Sequence, residues 1–182
     1  MNPFDFGKGR LPLPLRPAGF REASEITSVH LRACAPIFAS RRQRLTGARA
    51  NGVRYEKKVH EEFLRRYPAN YLPSPWFEFW DGFGHRWCQP DGLLIDVAQG
   101  LIVIVEVKHH HTGEAWWKLH KLYFPVVRAL FGTEWEYRCL EVVRFYDPST
   151  LFPAAKLVEH PHLTPPLPTV GVHICKPVGV QK

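Results

Sequence analysis

The stretch QPDGLLIDVAQGLIVIVEVKHHH, residues 89–111, contains two apolar runs joined by a short turn-like segment. Short apolar runs rich in β-branched residues are typical of buried strands. Residues 97–100 end in a glycine and predict the turn between the two strands. The stretch therefore predicts a β-hairpin at the centre of the fold. An acid lies in each run, Asp91 and Glu106, and Lys108 follows the second acid by two positions.

The predicted hairpin register places the two acids opposite each other. If residues 97–100 form the turn, Asp96 pairs with Leu101, and stepping outward along both strands brings Asp91 opposite Glu106. Their Cβ atoms would then lie roughly 5 Å apart on one face of the sheet. Lys108 shares that face, about 7 Å further along its strand. A slip of one residue would destroy this arrangement, so the prediction depends on the turn.

Two carboxylates opposed in an apolar sheet repel each other and lose hydration. A shared proton, a lysine or arginine partner, or a bound divalent cation would offset that cost. Glu56 favours the cation, because it lies on the apolar stripe of a predicted helix and adds a third acid that one lysine cannot neutralise. The competing interpretation is an ordinary buried salt bridge between Lys108 and either Glu106 or Asp91.

The remaining patterns predict an α/β fold with the element order αβββαβ and a mixed central sheet flanked by helices. A helix is predicted over residues 48–67, and strands over residues 76–81, 86–96, 101–108 and 137–146. Thr112 is expected to begin a second helix that runs to Phe131 and stops at Gly132, with a kink at Pro125. The stripe of the first helix consists of Val53, Glu56, Val59, His60 and Phe63.

Proline divides the chain into three predicted segments. Twelve of the seventeen prolines fall in residues 1–36 and 147–182, where they disfavour continuous helix or central strand. We therefore expect a core over residues 44–147 between two extended proline-rich arms, residues 1–43 and 148–182. Apolar residues such as Phe4, Phe6 and Phe152 suggest that the arms pack on another subunit or a larger assembly.

The charge of the chain predicts a polyanionic partner. The net charge is +7 and the pI is near 9.4, which favours nucleic acid. Residues 41–58 hold seven lysines and arginines and one acid, Glu56, so this run predicts a phosphate track. No apolar run reaches the roughly 20 residues of a membrane span, and we expect a cytoplasmic protein. The predicted DNA-binding residues of this run are Arg41, Arg42, Arg44, Arg54, Lys57 and Lys58.

Two further groups near the hairpin have two interpretations each. His109, His110 and His111 follow Lys108 and are interpreted either as substrate contacts or as a polar loop. Trp116 and Trp117 are able to stack on bases, but packing of the second helix onto the sheet is the favoured interpretation.

The motifs together resemble the PD-(D/E)xK nuclease superfamily. Pro90-Asp91, followed fifteen residues later by Glu106-Val107-Lys108, resembles its defining pattern. The segment Gly52-Val-Arg-Tyr-Glu56 is similar to the GxxxE helix motif of the RecB-like and Holliday-junction-resolvase-like branches. The chain is also similar to uncharacterised nuclease-like proteins of tailed phages. The resemblance covers roughly residues 48–146 and implies a restriction-endonuclease-like core.

The resemblance implies a Mg²⁺- or Mn²⁺-dependent deoxyribonuclease that hydrolyses phosphodiester bonds. Asp91, Glu106 and the carbonyl of Val107 would hold the metal, with Glu56 completing the site, and Lys108 would orient water or steady charge on the phosphate. One departure is that the QxxxY motif of RecB-like members is incomplete, since Leu119 stands four residues before Tyr123. Lys118 and Lys121 are expected to contact phosphate instead.

The expected setting is the cytoplasm of a bacterial host, with DNA as the partner and no membrane. The alternative is a structural or DNA-binding component of a phage virion, in the neck or in head completion, on the same fold. Such a protein could form a homo-oligomer or join a virion through its arms.

Overall fold

The computed structural model describes residues 13–40 and 46–177. It contains an α/β fold with a mixed six-stranded sheet, an antiparallel three-stranded sheet and helices. The α/β class with a mixed sheet is confirmed. The strands are β1 Ser28–Arg32, β2 Tyr71–Pro73, β3 Trp76–Asp81, β4 Gly84–Cys88, β5 Gly92–Asp96, β6 Leu101–His110, β7 Glu136–Phe145, β8 Ala155–Val158 and β9 Val170–Ile174.

The six-stranded sheet has the order β2-β5-β6-β7-β9-β8. Its β2, β5 and β6 pair antiparallel, whereas β6, β7, β9 and β8 pair parallel. The long strand β6 is central and nearly all apolar because both of its faces are covered. Every residue from Leu101 to Val107 is buried. Asp91 immediately precedes β5, and Glu106 lies within β6.

Helices cover the two faces of this sheet. Helix α1, Gly47–Arg66, packs on one face through Tyr55, Val59 and Phe63. On the other face, α2 (Gly113–Lys118) continues through a π-helical turn at residues 119–123 into α3 (Phe124–Phe131). A π-helical turn therefore lies just before Pro125, where a kink or a split of the helix was predicted. Gly132, with φ of 95°, ends α3 as predicted.

The strand predicted over residues 86–96 is wrong, because the structure divides it into two strands in different sheets. The first strand, β4, pairs with β3 in the three-stranded sheet, and β5 pairs with β2 and β6 in the six-stranded sheet. Residues 89–91 join them. Proline has no backbone N–H for a ladder hydrogen bond, so Pro90 marks this break.

The described parts of the two proline-rich segments differ from the expected extended arms. Strand β1 pairs with β3, and β8 and β9 complete the parallel end of the six-stranded sheet. Val170 and Val172 are fully buried. The prolines between residues 148 and 168 lie outside these strands, where no ladder hydrogen bond is required.

Candidate active site

The hairpin register agrees with the sequence prediction. Asp96 pairs with Leu101, and the ladder continues to Gly92 opposite Val105. Asp91 and Glu106 are the next residues on the two strands. The carboxylate of Asp91 accepts a 2.6 Å hydrogen bond from the backbone N–H of Val107. The two acids therefore meet at the end of the β5–β6 ladder.

Glu106 is paired with two lysines. Its side chain is 3% exposed, and its Oε1 lies 3.1 Å from Nζ of Lys108 and 3.1 Å from Nζ of Lys118. Burial alone would lower the pKa of Lys118, but the Glu106 carboxylate raises it above the ordinary value. A salt bridge of the kind considered for Lys108 is therefore present at Glu106. Lys118, which we predicted as a phosphate contact, forms a salt bridge with Glu106.

The pKa of Asp91 differs from that of a surface aspartate. Burial, the Glu106 carboxylate and the Glu56 carboxylate together raise its pKa to about 8, and the Val107 N–H and Lys118 only partly oppose this rise. The protonated form of Asp91 is therefore favoured more strongly than that of a surface aspartate. A cation that binds here would compete with a proton for this carboxylate.

Glu56 lies at the margin of the acid pair. Its side chain is 36% exposed and its Oε1 lies 3.5 Å from Nε2 of His60, one helical turn later. The predicted stripe of α1 is wrong at Val53, which is 47% exposed. The buried face is instead centred on Tyr55, Val59 and Phe63. The helix is thus rotated by a fraction of a turn from the predicted orientation, which leaves Glu56 at the edge of the packed face.

A polar network supports the segment that carries Asp91. Nδ1 of His60 lies 2.7 Å from the hydroxyl of Tyr71, and its Nε2 lies 3.3 Å from Oγ of Ser74. The backbone N–H of Ser74 donates to the carbonyl of Asp91 at 2.8 Å. The ring of Tyr71 lies across Gly92, where an added Cβ would come within 2.4 Å of the Tyr71 hydroxyl. Glycine after Asp91 is therefore required by this close approach.

The π-helical turn brings Tyr123 to the acids. Burial raises the pKa of Tyr123 well above its ordinary range, and the charges of Glu106 and Asp91 raise it further. Tyr123 is thus the residue of the incomplete QxxxY motif that lies near both acids. A π-turn inside a helix is often found at functional sites.

A further buried acid beside the pair, Glu141, was not predicted as a site residue. It lies in β7 directly beside Glu106 in the parallel register and is fully buried. Burial raises its pKa, although an ion pair with His111 and a hydrogen bond from the backbone N–H of Thr112 oppose this. The acid in the apolar run of residues 137–146 was the available signal. Glu141 therefore holds the residues that follow β6, through His111 and Thr112.

The histidines after Lys108 and the two tryptophans of α2 make separate contacts in different parts of the fold. His109 packs edge-on against Tyr55, and His110 stacks on Phe145. Trp116 is buried in the core, as the favoured interpretation required, and Trp117 donates from Nε1 to the carbonyl of Pro14 at 2.9 Å.

The predicted phosphate track is only partly described. Arg41, Arg42 and Arg44 lie outside the described residues. Arg54 and Lys57 are exposed on α1, Lys58 is half-buried there, and Lys121 is half-buried after α2. These four stay predicted DNA contacts.

The residues present fit a hard divalent cation in their chemistry, although not as a full cage. Among residues 13–40 and 46–177, no group of three His, Cys, Asp or Glu side chains is arranged to hold a metal. The acid pair nevertheless leaves Oε2 of Glu106 buried without a hydrogen-bond partner among these residues. Buried acceptors are normally satisfied, and a carboxylate oxygen suits Mg²⁺ or Mn²⁺. The chemistry of this oxygen is therefore compatible with a cation, and the hydroxyl of Tyr123 is another candidate partner of the Glu106 carboxylate.

Comparison of the chain with protein-family models, curated proteins and solved structures found no match. Within the described ranges, no helix is both long enough and apolar enough to cross a membrane.

Proposed function

We propose that the protein is a divalent-metal-dependent deoxyribonuclease of the PD-(D/E)xK type with a restriction-endonuclease-like core. The observation that carries this proposal is the meeting of Asp91 and Glu106 at the end of one ladder, with Lys108 on Glu106 at 3.1 Å. Two acids, Asp91 and Glu106, and two lysines, Lys108 and Lys118, lie together at this point of an otherwise apolar sheet, where burying polar groups costs free energy. A structural salt bridge would need only one acid and one lysine.

Each residue has a proposed role. Asp91, Glu106 and the carbonyl of Val107 would hold Mg²⁺ or Mn²⁺, and Glu56 would complete the site from its margin. The cation would supply Lewis-acid activation of water and stabilisation of charge on the phosphate. Lys108 would orient the attacking water or steady the charge on the phosphate oxygens.

The second lysine, Lys118, also contacts Glu106, at 3.1 Å. Both ammonium groups contact the same oxygen, Oε1, which leaves Oε2 of Glu106 available to a further partner. The substrate phosphates would approach Lys108 and Lys118. The exposed basic side chains of Arg54 and Lys57 would contact flanking phosphates.

The alternative of a virion component was motivated by the expected arms. Strands β1, β8 and β9 of those segments belong to the two sheets, so these parts of the expected arms are part of the fold. We keep the nuclease as the single proposed function.

The test is a cleavage panel with the full-length protein. Linear, nicked, branched and single-stranded DNA would be offered with Mg²⁺, with Mn²⁺ and with excess EDTA. We expect metal-dependent cleavage of at least one substrate by the wild type. Glu106→Gln keeps the size of the side chain but removes its charge, and it should abolish cleavage on the same panel. The proposal fails if no substrate is cut, or if cutting persists in EDTA.

A further inference from the structure

The outer face of the three-stranded sheet is unusually aromatic. Residues alternate between the two faces of a strand, and the register places three indoles, two imidazoles and a guanidinium on one side. The solvated face of an antiparallel sheet normally carries small polar or charged side chains. We call this surface the tryptophan face, and its residues are His30, Arg32, Trp76, Trp80, His85 and Trp87.

The inner face of the same sheet packs into the core. Phe77, Phe79 and Cys88 are buried there. The indoles of the tryptophan face contact other rings of the same surface, and Trp87 also meets Phe38, from the segment after β1, edge-on at 6.4 Å. Trp80 stacks on His85 with ring centroids 4.5 Å apart and an interplanar angle of 19°, and Trp76 meets Trp87 edge-on at 6.4 Å.

An ion pair holds the polar members of the tryptophan face in place. Glu78 lies between Trp76 and Trp80 on β3, accepts from Nε of Arg32 at 2.6 Å and lies 2.9 Å from Nε2 of His85. The charge of Glu78 is therefore already engaged by Arg32 and His85. The surface presents flat rings and a guanidinium in fixed positions, which lowers the entropy lost when a ligand stacks on them.

The tryptophan face leads directly to the proposed active site. Trp87 precedes Asp91 by four residues, so their Cα atoms are at most about 15 Å apart. A second path begins at Trp76, two residues after Ser74, whose backbone N–H donates to the carbonyl of Asp91 at 2.8 Å. Trp87 therefore lies within about 15 Å of Asp91, a distance that a few nucleotides span.

The chemistry of the face fits unpaired bases. Its ladder positions hold aromatic and polar side chains and no aliphatic side chain, and flat aromatic rings are the groups on which unpaired bases stack. Every base offers a π-face to an indole, and the flat guanidinium of Arg32, paired with Glu78, offers a further stacking surface. The net charge of +7 attracts a polyanion. In double-stranded DNA the bases are stacked on each other and closed to such contacts.

We propose that the tryptophan face binds single-stranded DNA and delivers an unpaired segment to the Asp91–Glu106 site. The choice of DNA over RNA rests on the proposed nuclease function, whereas the stacking itself does not. The substrate class is then DNA with a single-stranded segment, such as an end, a flap or a gap.

The test measures binding and cleavage separately. Binding of a fluorescently labelled oligothymidine to the full-length protein would be followed by anisotropy in EDTA, with duplex DNA and oligouridine as competitors. Trp80→Ala and Trp87→Ala should each weaken binding by about fivefold or more. Trp135→Ala is the matched control, since Trp135 packs near Phe131 on another part of the chain, and should bind as the wild type does. Trp80→Phe, which keeps an aromatic ring, should retain more affinity for oligothymidine than Trp80→Leu. If Trp80→Ala does not fold, the comparison of these two variants tests whether a ring at position 80 contributes to binding.

Equal affinity of the tryptophan variants and the wild type would overturn the inference, as would preferential competition by duplex DNA or by oligouridine. Failure of the nuclease proposal would look different. In that case oligothymidine binding and its dependence on Trp80 and Trp87 would remain, but no DNA would be cut with Mg²⁺ or Mn²⁺.

Discussion

The carboxylate of Asp91 accepts a 2.6 Å hydrogen bond from the backbone N–H of Val107. This bond lies just beyond the last ladder pair, Gly92 and Val105, and fastens the first acid to the strand that carries the second. The separation of Asp91 and Glu106 is therefore fixed by backbone pairing, which favours a preorganised site.

When no divalent cation is present, the stability of the Asp91→Asn variant relative to the wild type should increase as pH rises. The pKa of Asp91 is about 8 in the folded protein and near 4 in the unfolded chain. Between these values the folded state binds the extra proton, so the stability of the wild type falls as pH rises from about 4 to about 8. Asparagine can still accept from Val107 but does not titrate.

The measurement is thermal unfolding of both proteins in EDTA at pH 5 and pH 8. The melting temperature of the variant relative to the wild type should be at least about 3 °C higher at pH 8 than at pH 5. Adding Mg²⁺ should raise the melting temperature of the wild type and not that of the variant. A difference that stays constant with pH would contradict the assigned protonation state.

Gly92→Ala should destabilise the fold by about 1–3 kcal/mol, because the new Cβ would lie within 2.4 Å of the Tyr71 hydroxyl. Gly52→Ala is the matched control: Gly52 lies inside α1, and a Cβ there meets nothing within 4 Å. Alanine at position 52 should stabilise by about 0.5–1 kcal/mol. Urea unfolding of both variants checks this, and equal effects would refute the close approach of Tyr71.

The hairpin was predictable and strands β8 and β9 of the same sheet were not, for a physical reason. Asp96 and Leu101 pair across a four-residue turn, so local sequence determines their register and hence the meeting of Asp91 and Glu106. Strand β9 instead pairs in parallel with β7 across a loop that contains β8. No local pattern encodes such a distant pairing, and the prolines around it suggested an extended arm.

The same distinction between local and long-range pairing explains which residues of the site could be predicted from the sequence. Lys108 follows Glu106 on one strand, so alternation places them together. Lys118 reaches Glu106 from α2, and its contact depends on the rotation of a helix packed on the sheet. Glu141 lies beside Glu106 only because β6 and β7 pair in parallel.

Val172→Ala should cost about 2 kcal/mol of stability if β9 belongs to the core. Val172 is fully buried, whereas Leu157, its partner on β8, is 45% exposed. Leu157→Ala removes more apolar volume but should cost less, because much of that side chain already contacts water. Chemical denaturation of the two variants gives the comparison. A smaller loss of stability for Val172→Ala than for Leu157→Ala would show that β9 is not part of the core and that the C-terminal segment is an extended arm.

The central claim is that the acid pair supports metal-dependent cleavage of DNA. Single-turnover cleavage of one labelled substrate in Mg²⁺ would be measured for the wild type, Asp91→Asn and Asp96→Asn. Asp96 ends the same strand, β5, where its carboxylate accepts from the backbone N–H of Gln99 in the turn. We predict that Asp91→Asn lowers the rate by at least about 100-fold and that Asp96→Asn leaves it nearly unchanged. Cleavage by Asp91→Asn at the wild-type rate, or by the wild type in excess EDTA, would contradict the account.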